Sequence, residues 1–214
     1  TVLFTYTDTA LAGAADSVKV SANNIEVASL VVQTNAATAG IGLETINLNS
    51  IGGANKIGVL TAEDLENLTV TGSKNLTLGT TSTTTNAGLV EATRFGAGLA
   101  NVAGSLNAID ASAFTANLDI TLGSEMNAGK DGTSGVASDV VVKGGAGNDV
   151  FRLANANIDA KVGAGTGDSI DGGAGTNSLV ILGSSTINNT VSKVQALEIR
   201  TGHDAGVVAD TVAV

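Results

Sequence analysis

Leu43-Glu44-Thr45-Ile46-Asn47-Leu48 and Leu65-Glu66-Asn67-Leu68-Thr69-Val70 carry one phrase 22 residues apart, and Val194-Gln195-Ala196-Leu197-Glu198-Ile199 is a third copy. The phrase alternates apolar and polar residues, the two-residue period of a strand with one face buried. Outward from these copies the same texture continues. It recurs in Val18-Lys19-Val20, Ile25-Glu26-Val27, Leu30-Val31-Val32, Leu76-Thr77-Leu78, Leu118-Asp119-Ile120-Thr121-Leu122, Val140-Val141-Val142 and Leu179-Val180-Ile181-Leu182. Each run is bounded by Gly, Asn, Ser or Thr, and helical periodicity is nearly absent. Strands this short suit either a sandwich or a solenoid, and recurrence of one phrase at about 20 residues favours stacked coils. The expected fold is therefore all-β, a right-handed parallel β-solenoid or β-roll with lateral loops. At about 18 to 22 residues per coil the chain holds on the order of ten coils, a rod roughly 50 Å long at ~4.8 Å per rung.

Composition agrees with a narrow core. The 214 residues include Gly 28, no Pro, Cys or Trp, and aromatics at 2%. Val, Ile, Leu and Ala fill a slender coil where Trp has little room. Absent cysteine excludes disulfides and thiolate metal sites, and no apolar run is long enough for a membrane span. Asp and Glu number 20 against 10 Lys and Arg, a net charge of −10. Such a balance repels phosphate backbones and anionic lipid, so nucleic acid is not an expected partner. It suits hard cations instead. Residues 80–104 and 123–139 break the rhythm and are expected as insertions. The chain divides into solenoid coils over 1–139, a glycine-rich section over 140–182 and further coils over 183–214. Together these are expected to form one continuous rod and part of a longer protein, since Val214 falls within a strand-like phrase.

The sharpest motif is Gly144-Gly145-Ala146-Gly147-Asn148-Asp149-Val150-Phe151-Arg152, which satisfies every fixed position of the nonapeptide G-G-x-G-x-D-x-U-x. Glycines permit a tight turn that aims carbonyl oxygens at an ion, and the aspartate adds a carboxylate. Calcium takes six to eight such oxygens, which two stacked turns can supply. If one nonapeptide is half a coil, the facing loop is Gly163-Ala164-Gly165-Thr166-Gly167-Asp168, with Asp168 19 residues after Asp149. A third loop, Gly172-Gly173-Ala174-Gly175-Thr176-Asn177, fits except that Asn177 replaces the acid. Two Ca²⁺ sites follow as expectations. The first draws on Gly145, Gly147, Asp149, Gly165 and Asp168. The second draws on Asn157, Asp159, Gly173, Gly175 and Asn177, with Asp171 nearby. On this reading chelation loosens residues 140–182; the alternative is a set of glycine-rich turns in a metal-free solenoid.

Over residues 144–182 the chain resembles the RTX calcium-binding β-roll proteins exported by type I secretion. Its wider texture, including Ile109-Asp110-Ala111-Ser112-Ala113-Phe114 and the phrase at Val194–Ile199, is similar to RTX-type bacterial surface-layer proteins. The resemblance implies an extracellular, calcium-dependent structural protein at the bacterial cell surface. Its expected partners are copies of itself in a lattice or filament, with a cell-surface polysaccharide reached through parts outside this sequence. Two rivals are the stalk of a large RTX adhesin and the β-roll tail of an exported hydrolase. Catalysis is not expected. His203 is the sole histidine, so a two-histidine zinc site is impossible, no G-x-S-x-G turn is present, and Gly163–Gly167 lacks the lysine of a phosphate loop.

Overall fold

A computed structural model describes residues 1–13, 15–35, 41–62, 65–79, 106–122, 140–153, 167–181, 187 and 190–199, with the backbone of 89–91, 185–186 and 212–213. The chain opens with β1 (Val2–Tyr6), a 3₁₀ turn (Asp8–Leu11), β2 (Ser17–Asn23), β3 (Glu26–Val27) and β4 (Leu30–Thr34). It continues through β5 (Thr45–Ile51), β6 (Asn55–Ile57), β7 (Leu60–Ala62), β8 (Asn67–Gly72), β9 (Leu76–Leu78) and β10 (Leu89–Glu91). Then come β11 (Ala108–Asp110), β12 (Leu118–Leu122), β13 (Val141–Lys143), β14 (Val150–Leu153), β15 (Ser169–Asp171) and β16 (Ser178–Ile181). The last strands are β17 (Ser185–Thr186), β18 (Val191–Ser192), β19 (Ala196–Ile199) and β20 (Val212–Ala213). Each of the ten alternating runs named above overlaps one of these strands.

The strands form three main sheets, ordered β1-β4-β7-β10, β2-β5-β8-β11-β13-β15-β18 and β3-β6-β9-β12-β14-β16-β19, and β17 pairs separately with β20. Every paired strand runs parallel to its neighbour, as in β2 with β5, β5 with β8 and β14 with β16. The chain visits the sheets in rotation, so neighbours within a sheet come from successive coils. This is a stack of parallel coils, as the repeated phrase implied.

Three details differ from the sequence expectation. The second and third sheets show seven rungs each, not ten, because the coils are longer. Asn49 lies one rung from Thr71 at 22 residues, but Asp149 lies one rung from Asn177 at 28. A nonapeptide is therefore not half a coil here. The third copy of the phrase also sits on a different sheet. Val194–Ile199 leads into β19 of the third sheet, whereas its two relatives lead into β5 and β8 of the second. The phrase encodes a corner followed by a strand, and both sheets begin that way. The expected insertions near 80–104 and 123–139 lie almost wholly outside the described residues, between rungs whose registers are Asn67 to Ala108 and Ala108 to Val141.

Parallel in-register stacking turns the alternating pattern into columns. In the second sheet Val18, Ile46, Leu68, Ile109, Val142, Ile170 and Val191 stack one above another. In the third, Ile57, Leu78, Ile120, Phe151 and Leu179 do the same, and each is 3% exposed or less. Burying each such side chain contributes about 1.5–3 kcal/mol, and the stack forms one continuous cluster with Leu43, Leu65, Leu106 and Phe114. Outward residues of the same strands are mostly polar, among them Asn47, Thr69, Lys56, Lys143 and Arg152, and the strands turn into one another at corners rich in Gly and Asn.

Candidate functional site

The corner leading from the second sheet to the third brings the two best glycine loops together. Residues 144–149 join β13 to β14, residues 172–177 join β15 to β16, and the flanking strands hold the loops one directly above the other. Glycine is required for that approach. A Cβ on Gly145 would stand 2.2 Å from the Phe114 carbonyl oxygen of the rung before, and one on Gly173 would stand 2.3 Å from the Gly145 carbonyl oxygen. The same packing lets Ala146 N–H donate to Phe114 O and Ala174 N–H donate to Gly145 O, at 2.9 and 2.8 Å. Rungs are thus joined backbone to backbone through the turns as well as through the strands.

Two ladders of side-chain oxygens reinforce this corner. In the inward ladder each polar residue accepts the N–H of the residue beneath it in the column. Asn55 Oδ1 accepts Ile25 N–H at 2.8 Å, and Asp149 Oδ1 accepts Leu118 N–H at 2.8 Å. Asn177 Oδ1 accepts Asp149 N–H at 2.9 Å, and Gln195 Oε1 accepts Asn177 N–H at 2.6 Å. In the outward ladder the sense reverses. Asn117 N–H donates down to Asn75 Oδ1 at 3.2 Å, Asn148 N–H to Asn117 Oδ1 at 2.9 Å, and Thr176 N–H to Asn148 Oδ1 at 2.8 Å. Each link satisfies a backbone group that the bend removes from the strand ladder, which is what a buried corner requires.

Asp149 and Asn177 occupy the same position but use it differently. Asp149 is fully buried; its Oδ2 accepts Gly145 N–H at 2.8 Å within the turn. Burial holds this carboxyl above the ordinary carboxylate range, against the opposing pull of the N–H donors of Leu118 and Gly145. Asn177 has an amide where that second oxygen would be, and Nδ2 donates to Ala174 O and Lys193 O, both at 3.0 Å. The backbone follows the chemistry. Gly173 and Gly175 adopt φ of +77° and +78°, whereas Gly145 and Gly147 are outside the left-handed region. One G-G-A-G sequence therefore takes two turn conformations, according to whether the residue that closes it accepts or donates.

Asp168 is not the partner of Asp149. It precedes β15 at the entry to the second sheet, where its Oδ1 accepts Val140 N–H at 2.7 Å across 28 residues. Glu44 does the same for Asp16 N–H at 2.6 Å, ahead of β5. Asp149 stands at the entry to the third sheet and Asp168 at the entry to the second on the next rung, so the 19 residues between them do not bring the two acids to one corner. The first expected ion site is corrected accordingly: Gly145, Gly147 and Asp149 share a corner with Gly173, Gly175 and Asn177, and Asp168 does not. Asp171, expected beside the second site, forms an ion pair with Lys193 at 2.8 Å and accepts Gly173 N–H at 2.9 Å, which hold its carboxyl below the usual range. Asn157, Asp159 and Gly165 lie outside the described residues.

The donor set at this corner does not fit a calcium shell of six to eight oxygens. Its one buried carboxylate turns both oxygens onto backbone N–H groups, its stacked partner is an amide whose NH₂ is directed at the carbonyls of Ala174 and Lys193, and Asp171 is neutralised by a lysine. Among the described residues no three acidic or histidine side chains converge. The residues that sequence reading missed are Asn55, Asn75, Asn117, Gln195 and Glu44. Their common signal is an amide or acid immediately before a strand phrase or at its first residue, as in Asn117-Leu118-Asp119-Ile120 and Gln195-Ala196-Leu197.

Fold and site together define a parallel-sheet protein of stacked coils whose corners are locked by side-chain oxygen ladders. Comparison with known proteins adds no family to that description: no family model, no curated protein and no solved structure matches the chain.

Proposed function

We propose that this chain is a structural segment, a solenoid rod that extends by adding further coils, in the manner of the secreted surface-layer proteins its texture resembles. The observation that supports this most directly is the exposure of two of the edge strands, β1 and β19. On β1, Val2, Leu3 and Phe4 are 36%, 56% and 46% exposed; on β19, Leu197 and Ile199 are 51% and 53% exposed. Among the described residues each of these two strands pairs on one side only, and the apolar side chains it carries stay unburied. Such an edge is a template for another strand, and Leu197 already continues the buried column of Phe151 and Leu179.

The test is association. Sedimentation and negative-stain imaging of the chain are compared with Phe4→Lys/Leu197→Lys, in which both edges carry charge. Sheets or filaments that disappear in the variant are expected; a chain that stays monomeric at every concentration would overturn the proposal, and dispersed rods would favour an adhesin stalk. Calcium stays in the proposal only as what the resemblance of residues 144–182 to the RTX β-roll implies. Melts in calcium and in EGTA test that part, and coincident midpoints would remove the ion.

A further inference from the structure

A groove of about 370 Å³ runs along the coil stack beside the glycine turns, bounded by Ser112, Lys143, Ala146, Asp171, Ala174 and Lys193. Its two walls differ in kind. One is the outward row of the second sheet, in which register places Asp110, Lys143 and Asp171 on successive rungs, and Lys193 reaches back to Asp171 from the rung beyond. That wall alternates acid and base about every 4.8 Å and is formally neutral in a chain of net charge −10. The other wall is the pair of exposed methyl groups of Ala146 and Ala174, stacked by the superposed turns. Between them lie the glycines of the two turns, which bring no side chain into the groove.

Lys143 stands between the two carboxylates of the row, and its charge acts on both. Its two neighbours in the row are directed elsewhere. Asp110 accepts Ser112 N–H at 2.9 Å, and Asp171 is held by Lys193 and Gly173. Lys143 itself makes no ion pair among the described residues. Its ammonium has three donors and lines the groove together with Asp171 and Ser112.

We propose that this groove binds a neutral saccharide strand lying along the stack. A sugar ring has the same two-sided character as the groove, with hydroxyl groups on its rim that both donate and accept, and a face of C–H groups. Vicinal hydroxyls bridge an alternating carboxylate and ammonium row without bringing in net charge, while the C–H face rests on the alanine methyls and bare glycine peptides. A compact anion meets the Lys143 ammonium but also faces Asp110 and Asp171, and a cation finds both carboxylates already engaged. The proposal does not depend on edge association, because the groove is on the side of the stack.

The test uses the whole chain, isotope-labelled, titrated with maltotriose, cellotriose and chitotriose in turn, and separately with inorganic phosphate. At least one trisaccharide is expected to shift the amides of Gly145 and Gly173 and the methyls of Ala146 and Ala174 in a saturable manner. Lys143→Met is expected to weaken that binding at least tenfold, and Ala146→Phe to abolish it by filling the groove. Both positions are exposed, so the two variants should keep the wild-type melting midpoint. Shifts with phosphate alone, no shift with any of the three sugars, or full binding by Ala146→Phe would each overturn the proposal.

Discussion

Asp149 is the residue on which the corner turns. Replacing it with alanine leaves the N–H groups of Leu118 and Gly145 buried and unpaired, at about 1–3 kcal/mol each. Asp149→Asn should be milder, because the next rung shows how G-G-A-G closes around an asparagine. The expected order in urea denaturation is wild type, then Asn, then Ala, with Ala lower by at least about 2 kcal/mol. Equal loss in both variants would mean that the turn cannot switch. The pH dependence has a definite sign. The folded carboxyl lies above its unfolded value of 3.8, so the native state binds the proton more tightly. The stability this group contributes is fully present below 3.8 and is lost as pH rises through the folded value. Asp110, drawn down chiefly by the Ser112 hydrogen bonds, and Asp171, drawn down chiefly by Lys193, act in the opposite sense. Subtracting the Asp149→Asn profile from that of wild type isolates the one group, and wild type should gain on the variant as pH falls from 7 towards 4.

At the scale of the element, the unit is the rung rather than the strand. β13 and β15 are three residues each, far too short to persist alone, and they hold because Val142 and Ile170 sit within a column that neighbouring coils complete. Truncating a middle member, Leu68→Ala, should cost about 2–5 kcal/mol. In a stack with mainly nearest-neighbour contacts, hydrogen exchange should accelerate first in β5, β8 and β11. Uniform acceleration along the chain would show that the coils do not unfold by neighbours. A second element-scale tie crosses β12 and β14. Arg152 Nε and Nη2 hold the two oxygens of Asp119 at 2.7 and 2.8 Å. The pair is partly exposed, so Arg152→Ala should cost no more than about 1 kcal/mol in urea denaturation, well below the column substitution. The strands were legible because parallel in-register stacking preserves the two-residue alternation. The oxygen ladders were legible only in fragments, since Asp149 meets the Leu118 N–H and Asn117 the Asn148 N–H from 31 residues away in each case.

Across the whole molecule, seven rungs of differing length stack on one pair of sheets, and every variation in coil length is absorbed at the corners and loops. If the corner of Asp149 is closed by N–H donors and not by an ion, EGTA should leave the exchange protection of the Leu118, Gly145 and Asp149 amides unchanged, even if the Asp168 corner responds. Protection lost at Asp149 on chelation would return the ion to that turn.

The residue pattern alone was enough to define short strands, their parallel stacking and the narrow aliphatic core, because period and composition are local properties that every coil repeats. It also marked the glycine turns, since close backbone approach excludes any Cβ. Which turn meets which was a different matter. Partnership depends on the number of residues in a whole coil, and that number differs between rungs, 22 from Asn49 to Thr71 and 28 from Asp149 to Asn177. For that reason Asp149 came to rest against Asn177 and Leu118 and Asp168 went to another corner, while the swap of Asp for Asn gave two nearly identical loops different hydrogen-bond polarity.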